Sequence, residues 1–450
     1  MDTEAVIESV GVKKNIRYVI ITLLFIVGAI NYADRATFSI AGPSMMKSMN
    51  LDVINLGYLM STFGWAYVLG QLPGGWLLDR FGARKVYICS LFSWSVCTLL
   101  LGFAGLMGAA AVVSVFVLVF FLSLCESPAF PANARIVASW FPTKERGTAT
   151  AIFTTAQYFA LVIFLPIIGW LTHKFGWESV YWLMGAGGII MALLMPFILY
   201  SPKEHPRIST EEFEYIKAGG ALVDDYTQKV TSNGKKESSL GHIKQLLSNR
   251  LMVGVLIGQF CIVTLTWFFT TWFPIYLAQG RGLSLTSVGL IASIPSICGC
   301  LGGILGGIFS DFLIRKKCSL TFSRKVPIIV GMCLAMSIIG CVFVDSLVMI
   351  VFFLSLAFFG KGIGTLGWAV VGDVAPREIV GLCGGLSNMS GNIAGIVTPV
   401  VIGYIVKTTG SFDGALIYVG CAAFMAICSY IFLIGKIDRI ELKHQVPSLS

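Results

Sequence analysis

Four ionisable residues, Asp34, Arg35, Glu126 and Lys361, lie inside long apolar runs. A charge at mid-bilayer costs at least about 2.5 to 3.5 kcal/mol on insertion scales, so such residues face a cavity or one another. Neighbouring helical positions point about 100° apart, so Asp34 and Arg35 need not pair with each other, and Asp34 can face a different partner. The guanidinium of Arg35 matches carboxylate geometry. It is a candidate for capturing an anionic substrate, the alternative being an ion pair that only holds the bundle. Lys361, set among Gly360, Gly362 and Gly364, is a second cation. Two cations suit a substrate with two carboxylates, unless Lys361 merely neutralises an acid. Asp34 and Glu126 are candidate proton carriers, because a carboxyl's proton affinity differs between an apolar setting and one beside a cation. The alternative for either is a permanently ionised partner of Arg35 or Lys361.

The elements that must position these residues belong in lipid. Of 450 residues, 56% are hydrophobic and 12% charged, with mean hydropathy +0.83, whereas a soluble domain is about 25% charged. A spanning helix needs roughly 20 apolar residues. Runs of that length fall near 17–38, 56–78, 86–106, 109–130, 149–171, 180–200, 251–277, 287–310, 326–345, 348–371, 381–406 and 414–435. The fold class is thus an all-α membrane protein with twelve transmembrane helices in two sets of six. The net charge of +9 is confined to the gaps between runs, as suits loops facing an anionic leaflet, and it does not point to nucleic acid. With the amino terminus inside, Lys13, Lys14, Arg17, Arg80, Arg84, Lys85, Lys144, Arg146, Arg315, Lys316, Lys317, Arg324, Lys325 and Arg377 are cytoplasmic. The outer loops hold only Lys47, Lys174, Arg281 and Lys407, and both termini are predicted to be cytoplasmic. The first run holds Asn31, Asp34 and Arg35 and lacks a small-residue cleavage site, so it reads as a retained helix.

The two halves echo each other. Gly75-Trp76-Leu77-Leu78-Asp79-Arg80-Phe81-Gly82-Ala83-Arg84-Lys85 returns as Gly307-Ile308-Phe309-Ser310-Asp311 followed by Arg315-Lys316-Lys317. Pro142-Thr143-Lys144-Glu145-Arg146-Gly147 is matched by Pro376-Arg377-Glu378-Ile379-Val380-Gly381. Parallel repeats of this kind build transporters that work by alternating access. Asp79, Arg80, Arg84, Asp311 and Arg315 are assigned to gating at helix ends, against a role as topology signal alone. Gly299, Gly303 and Gly307 recur every fourth residue, as do Gly381 with Gly385 and Gly391 with Gly395, and they predict close helix contact. The domains are a six-helix bundle over 1–200, a cytoplasmic linker over 201–249 and a second bundle with a tail over 250–450. In the linker, Ser209-Thr210-Glu211-Glu212 has capping-box spacing and Gly219-Gly220 would end the helix it starts. A second short helix is expected over Ile243–Leu247. The linker is read as a spacer between moving bundles.

Other chemistry finds no support. His173, His205, His242 and His444 lie in loops, at span edges or in the tail, so no catalytic or metal site and no cofactor is expected. The twelve cysteines are scattered without metal-ligand spacing and read as small core residues.

The chain resembles the major facilitator superfamily, in particular its anion:cation symporter branch of sugar-acid permeases, with bacterial glucarate and galactarate permeases nearest by eye. The residues that carry this resemblance are Asn31-Tyr32-Ala33-Asp34-Arg35-Ala36-Thr37, Gly64-Trp65-Ala66-Tyr67, Gln71-Leu72-Pro73-Gly74-Gly75-Trp76, Pro128-Ala129-Phe130-Pro131-Ala132-Asn133-Ala134-Arg135, Ala156-Gln157-Tyr158-Phe159, Trp272-Phe273-Pro274 and Phe359-Gly360-Lys361-Gly362. The resemblance implies a proton-coupled symporter in the inner membrane of a cell, a monomer in the lipid bilayer, that imports a sugar acid anion. The two cations favour an aldarate (glucarate or galactarate). The alternatives are a monocarboxylate aldonate or hexuronate symporter and a transport-dead sugar-acid sensor. A drug/proton antiporter is disfavoured by the missing glycine-proline signature in the fifth span.

Polyol hydroxyls need neutral partners. Tyr32, Tyr67, Gln157, Trp267, Thr365, Trp368, Asn388 and Asn392 are polar or amphipathic residues inside apolar runs of both halves, and an aromatic body with a polar tip fits a sugar face. Each can equally be a packing or interhelical residue. The fourth span departs from the branch at two positions: Val119 stands where an arginine is expected seven residues before Glu126, and Ser123 replaces a glycine.

Overall fold

The computed structural model describes residues 16–142, 145–223, 239–376 and 379–441. Lys13, Lys14, Lys144 and Arg377 lie outside the described residues, as do the side chains of Asp79 and Arg146. In lipid a backbone must satisfy its own polar groups, so long apolar runs become helices. The helices are α1 Ile16–Met49, α2 Val53–Phe81, α3 Ala83–Leu101, α4 Ala111–Glu126, α5 Ala129–Trp140, α6 Arg146–Phe175, α7 Trp177–Ile198, α8 Thr210–Ala218 and α9 Ser239–Ser248. They continue with α10 Arg250–Trp267, α11 Phe273–Ile275, α12 Leu285–Arg315, α13 Leu320–Ala335, α14 Leu347–Gly364, α15 Gly367–Val374, α16 Val380–Thr409 and α17 Asp413–Cys428. Eleven helical segments among the described residues are long and apolar enough to cross a membrane. The 29-residue α2 occupies the place of the second span. No strand occurs among the described residues.

Three runs that read as unbroken are interrupted. The fourth ends α4 at Glu126 and restarts as α5 at Ala129. Pro128 stands between them without a backbone N–H to continue the ladder. The tenth breaks between Gly364 and Gly367, in a glycine-rich stretch of weak helix propensity, where the Thr365 hydroxyl donates to the Gly362 carbonyl at 2.7 Å. The seventh widens into π-turns over Phe268–Trp272 and Tyr276–Gly280, either side of Pro274. Glu126 and Lys361 thus both sit at the end of a helix just before a break.

The chain divides into two units, Met1–Asn50 with Trp65–Val230, and Leu51–Gly64 with Thr231–Ser450. In the first, α1 packs on α6 and α3 on α7; in the second, α10 packs on α16 and α13 on α17. First with fifth, seventh with eleventh, third with sixth and ninth with twelfth are the same pairings in each unit, as a duplicated six-helix repeat requires. Within the second unit, Lys407 donates to Asp52 at 2.6 Å. That bond is the main cause holding the Asp52 carboxyl below its usual range. The pairing is complete at neutral pH and is lost as pH falls through the lowered value; both groups are exposed, so it stabilises little.

The glycine stripes are only partly contact surfaces. A Cβ on Gly302 would come 2.0 Å from the Phe359 carbonyl oxygen, and one on Gly362 2.2 Å from that of Gly299, whereas Gly307 and Gly385 face open space. Gly391 and Gly395 face Val263 and Trp267, and the side of Gly381 lies outside the described residues. Gly302→Ala is expected to lower stability by about 3 kcal/mol or more through overpacking, and Gly307→Ala to stay within about 0.5 kcal/mol. Thermal unfolding of the two purified variants in detergent checks the contrast.

The first part of the linker is not a spacer. Ser209 caps α8, accepting from the Glu212 backbone N–H at 3.1 Å, as expected. The fully buried Glu212 carboxylate does not return to its own cap. It accepts the backbone N–H groups of Ile16 and Arg17, each at 3.1 Å, and so caps the first membrane helix from 195 residues away. Arg17 pairs with Glu145 at 3.5 Å and lies over the Tyr215 ring at 4.7 Å, and the Tyr215 hydroxyl donates to Glu145 at 2.6 Å. That hydrogen bond, with burial, holds the Tyr215 phenol above its ordinary range. Glu212→Ala, which leaves two helix-terminal N–H groups unpaired, is expected to cost about 2 kcal/mol or more, seen as a lower unfolding temperature.

Candidate functional site

One face of α1 carries Asn31, Tyr32 and Arg35. Arg35 reaches α4, where Nε donates to Glu126 Oε1 at 2.6 Å and Nη2 contacts the same oxygen. Glu126 is wholly buried at the last residue of α4. The guanidinium is flanked by Tyr32, 5.3 Å from the ring centroid, and Tyr67, at 4.9 Å, so aromatic faces supplement the carboxylate. Asp34 points elsewhere: it is buried beside Trp94 of α3 and Tyr181 of α7. The two adjacent residues of α1 thus face different partners.

Val119 and Ser123 are both buried, on the same side of α4 as Glu126. An arginine at position 119 would point toward this acid; with valine there, Arg35 is the cation that Glu126 meets.

Against Arg35 lies a cavity of about 30 Å3, lined by Asn31, Tyr32, Tyr67, Tyr87, Asn133 and Thr154 among others. Asn31, Tyr87, Asn133 and Thr154 were not singled out as site residues from the sequence. A buried asparagine in an apolar helix was the available signal for Asn31 and Asn133. Gln157, half-buried on α6, is not among the lining residues, whereas Thr154, three positions earlier, is.

In the second unit, Lys361 of α14 is buried with its ammonium 5.2 Å from the centre of the Phe358 ring. Phe358 stacks on Phe269 at 4.1 Å. Trp267 is buried against Gly395 and 6.0 Å from the Phe63 ring. The Asn392 amide donates to the side chain and backbone oxygens of Asn388, at 3.2 and 2.8 Å, so these two residues brace one another on successive turns of α16. Thr365 is spent on the helix break, and Trp368 of α15 is exposed.

The repeated loop residues make different contacts in the two units. Arg84 donates to the Pro196 carbonyl at 2.8 Å, lies over the Tyr200 ring at 4.1 Å and meets Glu204 at 3.8 Å, tying the start of α3 to the end of α7. Arg80 covers the Trp76 ring at 5.1 Å. Asp311 and Arg315 are exposed at the end of α12. An arginine not assigned to gating, Arg324, forms the tie of the second unit: it bonds Asp373 of α15 at 2.8 Å and Ser310 of α12 at 3.0 Å.

Residues 24–324 match the model of the Major Facilitator Superfamily, and residues 323–439 that of the Sugar (and other) transporter family. The chain belongs to the major facilitator superfamily. Within the superfamily it is 55% identical to a probable galactarate/D-glucarate transporter of Escherichia coli K12 over 436 residues, 97% of each chain. It is 36% identical to a D-galactonate transporter of Escherichia coli O6:H1, over 94% of this chain and 97% of the relative. Among solved structures, the D-xylose-proton symporter shares the superfamily fold with a TM-score of 0.68 at 16% identity, over 93% of this chain and 98% of that one.

Proposed function

We propose that this chain is a proton-coupled symporter that imports a sugar-acid dianion, glucarate or galactarate, across the cytoplasmic membrane by alternating access, working as a monomer with both termini in the cytoplasm. The observation that carries the coupling is the Arg35–Glu126 pair. A substrate carboxylate and Glu126 compete for one guanidinium, and protonation of Glu126 frees it. Proton and substrate then load together. Asp34, held apart beside Trp94 and Tyr181, is the second proton carrier. Tyr32 and Tyr67 flank the bound carboxylate, and Lys361 takes the second one. Gln157, Trp267, Trp368 and the Asn388–Asn392 pair supply contacts to the polyol. The names of the close relatives support this choice of substrate.

The charge balance asks for at least two protons per dianion. Moving one negative charge inward against 100 mV costs about 2.3 kcal/mol, so a dianion costs about twice that. Two protons cancel this and leave the pH gradient, at about 1.4 kcal/mol per proton per unit, as the driving force. Uptake of radiolabelled glucarate into proteoliposomes under an inward proton gradient tests the reading. Accumulation that a protonophore abolishes and gluconate does not compete away is expected. Binding without accumulation would favour a sensor, and equal competition by gluconate a monocarboxylate carrier. Lys361→Asn is expected to raise KM for glucarate about tenfold or more, the loss of one charge-assisted hydrogen bond, with little change for gluconate.

A further inference from the structure

Past α17 the chain passes through a π-turn at Ser429–Leu433 and then runs without helix over 434–440. Every third residue of that stretch is a buried isoleucine: Ile434, Ile437 and Ile440 are 0%, 1% and 8% exposed, while Gly435, Lys436, Asp438 and Arg439 face outward. An extended segment with one buried face is seated on a surface, and its bonds identify that surface. Lys325 of α13 donates to the Ile434 carbonyl, and the Ile437 backbone N–H donates to Thr321 Oγ1 of α13 at 2.9 Å. The Ile440 N–H donates at 2.9 Å to the carbonyl of Val374, the last residue of α15. Ile440 also packs in one cluster with Leu246 of α9, Met252 of α10, Ala375 and Cys383 of α16. The segment is a strap from α13 to the end of α15, on the cytoplasmic side in the proposed topology.

The element under the strap has a pivot at its other end. α15 is eight residues long, about 12 Å, and the break between Gly364 and Gly367 separates it from α14. Two polar groups converge on that break. A Cβ on Gly367 would stand 3.0 Å from Gln259 Oε1 and 3.3 Å from the Tyr430 hydroxyl. Gln259 and Tyr430 are 2% and 0% exposed, and Gln259 Nε2 and the Tyr430 hydroxyl are without a hydrogen-bond partner among the described residues. Buried donors left unpaired are costly, and a helix break frees backbone carbonyls that can take them once α15 turns. The far end of α15 is satisfied instead, by Arg324 on Asp373 and by Ile440 on Val374.

We propose that the segment 434–440 is a latch for α15. In each transport cycle α15 swings on the break between Gly364 and Gly367, its far end leaves Ile440, and the strap recaptures it. The docked state keeps the bond to Val374 and leaves Gln259 and Tyr430 unpaired; the swung state gives up that bond and pairs them with the break. Two packings that trade one set of polar contacts for another make a two-state element. The proposal rests on the alternating-access reading, and it makes the carboxy-terminal strap part of the moving machinery.

Two experiments on the full chain decide it. Backbone groups joined by a hydrogen bond put their Cα atoms about 5 to 6 Å apart, within reach of a disulfide. Val374→Cys with Ile440→Cys, in a Cys383→Ser background so that the neighbouring thiol does not compete, is therefore expected to cross-link on oxidation. In proteoliposomes the cross-link is expected to lower both gradient-driven uptake and counterflow of radiolabelled glucarate about tenfold or more, because a conformational step is blocked, and reduction restores both. Oxidation of either single variant is expected to change neither. A disulfide that does not form overturns the docked strap, and a cross-linked protein that transports like the reduced one overturns the latch. Tyr430→Phe is expected to leave the unfolding temperature unchanged and to slow exchange about fivefold, the loss of one hydrogen bond made only in the swung state; unchanged exchange overturns the pivot. The wild type in parallel separates the two readings. If it transports and the cross-linked protein does too, the latch alone falls; if the wild type neither accumulates nor exchanges glucarate, both fall.

Discussion

Glu126→Gln is expected to abolish proton-driven accumulation, by about a hundredfold or more, while counterflow exchange persists. Glutamine keeps an oxygen for Arg35 to bond, so the packing around the guanidinium survives. It cannot gain or lose a proton, so Arg35 is no longer contested by an ionised carboxylate. Exchange should therefore lose its dependence on pH across the range in which the wild type changes. The measurement is the ratio of gradient-driven uptake to counterflow in the same vesicles. Loss of binding with loss of exchange would instead assign Glu126 to the substrate or to the bundle.

The second large effect is at Arg35. Arg35→Lys keeps the charge but loses the planar fork that meets Glu126 through two nitrogens and lies between Tyr32 and Tyr67. Uptake of glucarate is expected to fall by about a hundredfold, equivalent to about 2.7 kcal/mol. Arg35→Ala goes further, because it leaves a wholly buried carboxylate without its cation. Breaking a buried pair in this way costs about 3 to 5 kcal/mol, so the alanine variant should also unfold at lower temperature. Uptake and unfolding measured on both variants separate the two contributions. Diacid transport unchanged in Arg35→Lys would remove Arg35 from the substrate site.

Much of the fold was legible because its signals are local. Twenty apolar residues in a row must become a helix in lipid wherever they lie in the sequence, and a charge inside such a run must face something polar. Asp34, Arg35, Glu126 and Lys361 were found in this way, and their burial in the structure follows. Ser209 and Gly219 likewise announced α8 through the chemistry of helix ends.

Contacts between distant segments were not legible. The capping-box spacing at Ser209 and Glu212 predicted a reciprocal bond within four residues, whereas the carboxylate goes to the start of α1 because α8 docks there. The glycine stripe of α12 marked a close approach but not its line. Gly302 meets a backbone and Gly307 does not, which depends on the rotation of α12 against α14. Tyr87 carries no such signal in its own helix and lines the cavity beside Arg35 only because α1, α3, α5 and α6 converge there.

By itself, then, the sequence determined the membrane setting, the duplicated helices and the four charges that lipid cannot leave alone, since each follows from the free energy of single residues and runs. Tertiary structure decided that Arg35 closes on Glu126 across 91 positions while Asp34 turns to Trp94 and Tyr181. Which charges meet depends on which helix faces pack, and that is set by the whole bundle at once.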